Sequence, residues 1–293
     1  MFKKIVRTIV NLFFVLILGV AALLYVNDGG DFDTDMPPTV QRDSDEGQTL
    51  DPEAIGPERG QNLAGPSPFD DRSLVEAENA VNWSSGTGFA IAADGVWLTA
   101  KHVTRGCDRL GILNEDGRVA VQARPVYASE LADVAIFRTE GGPPPLALDL
   151  DESDIKIGTP AFHVGYPQGK PGEVTSRLIG RELMLTEGAW QGKEDTLAWA
   201  ETSRSGNLMG TLGGLSGGPA FDRKGHVIGI TIAENPRRGR IVTTSAASIT
   251  AALSTAGIVP QGRPLVPTAD LMSPKTARQL RADLKVVQVI CLT

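Results

Sequence analysis

Along most of this chain the apolar residues come in short runs with no helical spacing between them. Gly88–Ala92, Gly95–Ala100, Val119–Val121, Asp133–Phe137, Pro160–Val164 and His226–Ile232 are the clearest. Turn-forming triplets such as Ala93-Asp94-Gly95, Glu115-Asp116-Gly117 and Arg223-Lys224-Gly225 bound them. Runs of this length between turn signals predict strands, and a succession of them without intervening helices predicts an antiparallel barrel or sandwich. Helices are expected only late in the chain. Ala246–Ala256 forms the first, ended by Gly257, and Ser273-Pro274 opens a second over 274–284, with serine as cap and proline at the first helical position. A short apolar run, Val286–Cys291, follows.

The N-terminal pattern differs in kind. Thr8–Val26 is 19 residues without a charge, apolar on every face, about the length that crosses a hydrocarbon core of roughly 30 Å. Lys3, Lys4 and Arg7 precede it and acids follow it, which places the N-terminus in the cytoplasm and the remainder outside. This predicts a single-pass signal anchor over 1–26, with the rest of the chain on the far side of the membrane. Val20-Ala21-Ala22 is a permissible cleavage pattern, so secretion after cleavage is the alternative. Residues 27–72 carry twelve acids against three arginines among many Pro and Gly, a composition that predicts a disordered linker. The folded domain is then expected over 73–258, followed by a C-terminal extension, 259–293, of a helix and a short apolar run.

Composition adds limits. With 41% hydrophobic residues the chain has enough for a sizeable core, and 33 glycines with 19 prolines suit many short strands better than a bundle. The net charge of −7 resides mostly in the linker, and the rest offers no basic stripe of the kind nucleic acid requires. Two cysteines, Cys107 and Cys291, are too far apart and too poor in neighbouring ligands for a zinc site. No metal is expected.

Three histidines restrict any imidazole chemistry. His226 sits in a hairpin, and His163 lies in an alternating run, where a satisfied strand histidine is the plainest reading. His102 stands where the strand Gly95–Ala100 ends. Asp133 opens the apolar run Asp133–Phe137, where a buried carboxylate needs a donor. Ser216 is flanked by Gly213, Gly214, Gly217 and Gly218. A carboxylate that orients an imidazole, which in turn activates a hydroxyl beside exposed backbone amides, is the arrangement for acyl transfer. Gly214, Leu215 and Ser216 would form the oxyanion loop, with the amides of Gly214 and Ser216 as donors. A nucleophile elbow also fits the glycine pattern, but it needs a histidine well downstream and a helix after the serine. Neither is present in the sequence.

Taken in order, Thr99-Ala100-Lys101-His102, Asp133-Val-Ala-Ile136, Gly165-Tyr-Pro167 and Ser216-Gly-Gly-Pro219 resemble the trypsin-like serine proteases, in their bacterial HtrA/DegP-type branch. The resemblance covers about residues 75–258. It implies an all-β fold of two six-stranded antiparallel barrels, with His102 as general base, Asp133 orienting it and Ser216 as nucleophile. It further implies that the strand Ile230-Thr231-Ile232 pairs with the substrate backbone, that substrates are polypeptides, that no cofactor is required and that homo-oligomers are compatible with the family. Leu215 departs from it, since relatives carry asparagine or aspartate before the serine. The 35 residues after Ile258 are too few for a PDZ domain. Cys107 and Cys291 either bridge the loop after His102 to the C-terminal run or remain two thiols. The P1 residue is expected to be small or medium and apolar, since no acid lies in Leu208–Gly213. Two rivals stand beside the active protease: an inactive protease-like module that binds extended peptides, and a protease latched by its C-terminal segment, in which deletion of 263–293 raises activity.

Overall fold

The computed structural model describes residues 60–77, 83–113, 119–205, 208–265 and 272–293. The expected anchor over 1–26 and most of the expected linker lie outside these residues. Among the described residues no helix is long and apolar enough to cross a membrane.

Thirteen strands, β1 to β13, form two sheets. A closed barrel contains β2 (Trp83–Ala92), β3 (Val96–Thr99), β4 (Arg109–Leu113), β5 (Val119–Ala128), β6 (Ala135–Arg138) and β13 (Val286–Leu292), in the order β13-β2-β3-β6-β5-β4. Its centre is filled by Phe89, Ile91, Leu98, Ile136, Phe137 and Val289, none of them exposed. Trp97 stacks on Phe137 at 5.9 Å and its indole N–H donates to Thr139 Oγ1 at 2.7 Å.

The second sheet has seven strands: β1 (Asp71–Ala77), β7 (Pro160–Gly165), β8 (Gly172–Gly188), β9 (Gly192–Arg204), β10 (Pro219–Phe221), β11 (Val227–Asn235) and β12 (Arg240–Thr244). They run in the order β1-β8-β7-β10-β11-β12-β9, and β9 also pairs with β8. Two equal six-stranded barrels were expected. One is the closed barrel above; in the other half β8, β7, β10, β11, β12 and β9 pair in succession and β9 pairs back with β8, while β1 adds to β8 as a parallel strand from Asp71↔Glu182 to Ala77↔Gly188. Its own core gathers Trp199, Leu178, Leu197, Leu215 and Ile241.

Among the described residues there are three α-helices, α1 (Lys101–Thr104), α2 (Ala246–Thr255) and α3 (Pro274–Ala282). Ser245 caps α2 by accepting from Ser248 N at 3.2 Å, and Ser273 caps α3 by accepting from Thr276 N at 3.3 Å. Satisfying an otherwise orphaned amide is the reason these residues start helices.

Both ends of the folded part depart from the expected layout. Part of the stretch assigned to the linker is docked: Leu63 N donates to Ile155 O at 2.8 Å, Leu63 packs on the second core, and β1 begins at Asp71. At the other end, Val286–Leu292 is the strand that closes the barrel, paired with β2 from Val286↔Phe89 to Leu292↔Trp83 and with β4 from Val289↔Ile112 to Leu292↔Arg109. A latch that can be cut away is incompatible with this placement, because β13 has a hydrogen-bonded neighbour on each side. Cys107 and Cys291 form a disulfide, with Cα atoms 5.1 Å apart, that staples this strand to the loop after α1.

Removing residues 284–293 should therefore open the barrel. Val286, Val287, Val289 and Cys291 are all buried, and losing such side chains costs roughly 1.5–3 kcal/mol each for the aliphatic ones, enough to consume most of a typical domain's stability. The expected outcome is loss of the cooperative thermal transition followed by near-UV circular dichroism. Replacing both cysteines with serine should lower stability by roughly 5 kcal/mol in the chain-entropy model of a long closed loop, read as a lower denaturant midpoint.

Candidate active site

His102 and Asp133 come from neighbouring strands of the barrel. β3 pairs antiparallel with β6 from Val96↔Arg138 to Thr99↔Ala135, so the end of β3 lies beside the start of β6. Past Thr99 the chain turns through extended Ala100 into α1, which carries His102, while Asp133 sits two residues ahead of β6. The carboxylate grips His102 at two points: the backbone N–H donates to Oδ1 at 2.9 Å and Nδ1 lies 2.6 Å from Oδ2. Asp133 is 3% exposed, whereas the His102 side chain keeps 32% of its surface open towards the cleft.

Electrostatics follow from that contact. Burial disfavours the imidazolium, but the charge of Asp133 and its hydrogen bond outweigh burial and raise the His102 pKa above the usual histidine value. Burial pushes the Asp133 carboxyl upwards. The charge of His102, its side-chain and backbone hydrogen bonds and the charge of Lys101 outweigh this, and the carboxyl titrates below its ordinary value. The imidazole is thus held with Nδ1 towards the acid and Nε2 directed elsewhere.

Ser216 lies in the turn between Leu215 and Gly218, and Thr87 of β2 fastens that turn to the barrel. Thr87 N donates to Ser216 O at 2.8 Å and Thr87 Oγ1 donates to Gly214 O at 2.8 Å. The Thr87 carbonyl in turn accepts at 2.7 Å from Oγ1 of Thr99, three residues before the histidine. On its other side the turn binds β11: Gly217 N donates to Thr231 O at 2.7 Å and Thr231 N to Gly218 O at 2.9 Å. Gly217 has φ +86, and a Cβ there would run into Thr87 O and Thr99 Oγ1. This glycine is required by close approach of the two halves of the molecule, not only by a substrate. Among the described residues no hydrogen bond joins the Ser216 hydroxyl to His102; catalytic contacts of this kind often close only on substrate binding.

The amides of the turn are not equivalent. Leu215 N, which was not among the expected donors although Leu215 lies in the expected oxyanion loop, donates to Leu212 O at 2.8 Å and is engaged within the chain. The Gly213 carbonyl accepts from Gln168 N at 2.5 Å. A trans peptide points its N–H opposite to its C=O, and the Gly214 amide is therefore turned away from Gln168. Leu215 itself is 1% exposed within the second core, which explains how the turn is held without the usual polar residue: an apolar anchor replaces an ionic or amide one.

Gln168 was not singled out from sequence, although it directly follows Gly165-Tyr-Pro167. Its backbone has φ 54, a left-handed conformation that costs a non-glycine residue roughly 1–2 kcal/mol. Its Nε2 donates to Met209 O at 2.5 Å and Thr211 O at 2.8 Å. Arg204, paired with Glu201, donates to Gly210 O at 2.7 Å, and Glu234 accepts from Leu212 N at 2.7 Å and from Thr211 Oγ1. Three side chains from separate segments thus hold the loop that leads to Ser216.

Along the strand expected to pair with substrate, Ile230–Ile232, the backbone groups differ in what they already bind. Ile230 N already donates to Thr244 Oγ1, and Thr231 uses both its N–H and C=O on the serine turn. Both side chains are buried. Ile232, with Ala233 and Glu234, instead lines a cleft of ≈ 840 Å³ together with His102 and Asp133. A smaller cavity of ≈ 30 Å³ lies beside Ser216, bounded by Leu212, Leu215, Ala233 and Glu234. Trp190, between β8 and β9, reaches over α1, with Lys101 Nζ 5.3 Å and the Arg105 guanidinium 5.7 Å from its ring centre.

The remaining histidines stand apart. His163 is fully buried between Thr231 Oγ1 (3.0 Å) and Ser176 Oγ (2.7 Å), and burial lowers its pKa to about 3, so it stays neutral. His226 lies near Asp222, with Nδ1 3.8 Å from the carboxylate.

A mostly β molecule with one closed barrel and an Asp-His pair at its junction with a second sheet has the architecture of a trypsin-like peptidase. Residues 86–230 match the model of the trypsin-like peptidase domain, and this part of the chain belongs to that family. Among curated relatives, a probable periplasmic serine endoprotease DegP-like of Pseudomonas putida (strain GB-1) is 31% identical over 147 residues, 50% of this chain and 28% of that protein. One of the same description from Hahella chejuensis is 28% identical over 178 residues, 61% of this chain and 34% of that one. The chain thus spans about a third or less of the length of these relatives. The active form of the Rv3671c protease from M. tuberculosis is 19% identical, with a TM-score of 0.49, over 71% of this chain and 99% of that one.

Replacing Gln168 with glycine keeps the backbone amide and the left-handed φ while deleting both Nε2 bonds. If the loop orients the oxyanion donors, kcat should fall by about tenfold, part of what removing a donor outright costs, with KM changed less than threefold. Steady-state kinetics on a peptide substrate checks this.

Proposed function

We propose that this chain is a membrane-tethered serine endopeptidase that cleaves exported or misfolded polypeptides on the periplasmic side of a bacterial inner membrane. The observation that carries the reading is the two-point bond between His102 and Asp133 at the edge of an open cleft. Ser216 attacks the scissile carbonyl while His102 Nε2 takes its proton. Asp133 keeps the imidazole in the required tautomer and stabilises the imidazolium. The amides of Gly214 and Ser216 receive the developing oxyanion. The protonated His102 then gives its proton to the leaving amine, and water, activated by the same imidazole, hydrolyses the acyl-enzyme.

Residues 8–26 supply the tether, with Lys3, Lys4 and Arg7 on the cytoplasmic side. The small cavity beside Ser216 favours a P1 residue no larger than alanine or serine, a narrower preference than the sequence alone suggested. Substrate runs in extended form along Ile232–Glu234. The inactive-module reading retains one observation in its favour, the unmade bond between Ser216 and His102.

A fluorophosphonate probe separates the two readings. Labelling of Ser216 is expected, lost in Ser216→Ala and in His102→Ala; no labelling at any pH would sink the enzyme. Because the His102 pKa is raised, the neutral base exists only above the usual histidine range, and kcat/KM should fall as pH drops through that raised value. Asp133→Asn should lower kcat by about 10⁴, as in other triads, and move this acid limb to lower pH.

A further inference from the structure

Behind Asp133 stands a second acid that the mechanism above does not use. Glu194 lies on β9, in the other sheet, yet its Oε2 accepts from the backbone N–H of Asp133 at 2.7 Å. Only 6% of the residue is exposed. Its Oε1 is buried without a hydrogen-bond partner. The nearby Ser248 hydroxyl, in the first turn of α2, accepts from Ser245 Oγ at 3.2 Å.

Charges face this carboxyl from two directions. Asp133, on the segment before β6, is anionic and opposes ionisation of Glu194, whereas Lys101 on α1 favours it. The Lys101 ammonium is bound to Ser129 O at 2.7 Å and lies near the Trp190 ring, so its charge is directed away. Burial is the largest influence and, with the charge of Asp133, raises the Glu194 pKa to about 8, while the hydrogen bond from Asp133 N and the nearby Ser248 hydroxyl pull the other way. Two carboxyl groups tied to one short segment cannot both ionise cheaply. Asp133 has His102 to compensate its charge, and Glu194 has no comparable partner.

We propose that Glu194 is a positioning residue for the catalytic pair, a neutral carboxylic acid that holds the Asp133 main chain across the junction of barrel and sheet and leaves Asp133 as the single anion facing His102. The kinetic part of this proposal rests on the endopeptidase reading; the geometric and titration part does not. When Glu194 ionises, a second negative charge arises next to Asp133. The two carboxylates then repel although the bond from Asp133 N persists, so the Asp133 side chain shifts and the imidazole loses its fixed orientation. Activity therefore has an alkaline limb set by Glu194, in addition to the acid limb set by His102.

The test uses the purified folded protein with and without Glu194→Gln, which keeps an acceptor for Asp133 N and a donor at the position of Oε1 but does not titrate. In the parent, a group with a pKa of about 8 is about nine-tenths protonated at pH 7 and one-tenth at pH 9, so kcat/KM should fall about tenfold between them. In Glu194→Gln the fall should be less than twofold. Independently of turnover, the His102 imidazole resonance, assigned by its loss in His102→Ala, should show a second inflection near pH 8 in the parent and none in Glu194→Gln. An alkaline limb or second inflection that is the same in both proteins overturns the proposal. So does a parent whose His102 resonance titrates in one step, which needs no variant at all. Absence of turnover and of Ser216 labelling would remove the endopeptidase reading, and the resonance would still decide the role of Glu194.

Discussion

A buried carboxylate without donors is among the least tolerable groups in a protein interior, so Asp133, buried beside the cleft, has to be supplied with them. Its oxygens are answered by the backbone and the ring of His102, and its own amide is answered by Glu194 from the opposite sheet. The constraint reaches outwards from there. α1 must begin directly after β3 for His102 to present both groups, and β9 must cross to the barrel for Glu194 to reach. The hydrogen bonds at Asp133 therefore set the placement of both halves around the cleft.

A second point of junction is Thr87, which is fully buried and bonded to Gly214, Ser216, Thr99 and Tyr166. It works because glycine at 217 lets the serine turn lie flat against β2 and Ala100. Each half thus contributes one side of the site, the imidazole and acid from the barrel and the hydroxyl from the sheet. The seam that joins them is hydrogen-bonded backbone, not side-chain packing alone. The closing strand β13 belongs to the same logic. It borders β2 along its length, so a segment nearly two hundred residues away supports the strand that holds Thr87.

How much of this was legible in the sequence depended on whether a signal was local. The runs around Phe89, Leu98, Ile136, Val164 and Ile230 read as strands because they are apolar on both sides and short. β8 and β9 escaped notice: Gly172–Gly188 and Gly192–Arg204 are studded with Glu, Arg, Lys and Thr, since one face of each meets solvent or polar partners. β1 was missed as well: its first two residues fell in the expected linker, and Ser73–Ala77, inside the expected domain, were not read as a strand. His102 and Asp133 could be singled out by position at the end and the start of strands. Gln168, Thr87 and Glu194 could not, because what makes them matter is a partner 45, 127 or 61 residues away, whether Gly213, Gly214 or Asp133.

By itself, then, the order of residues determined the local conformations, the strand-ending histidine, the glycine-rich serine turn and the family to which the central part belongs. These follow from steric freedom, hydrophobic periodicity and spacing within a few residues. Only the tertiary structure decided that the last strand completes the first barrel, that Cys107 meets Cys291, that Ile232 lines the same cleft as His102, and that an acid from one sheet backs the acid of the other. Hydrogen bonds to backbone atoms carry no side-chain code, and the partner of a buried polar atom is fixed by the fold that surrounds it.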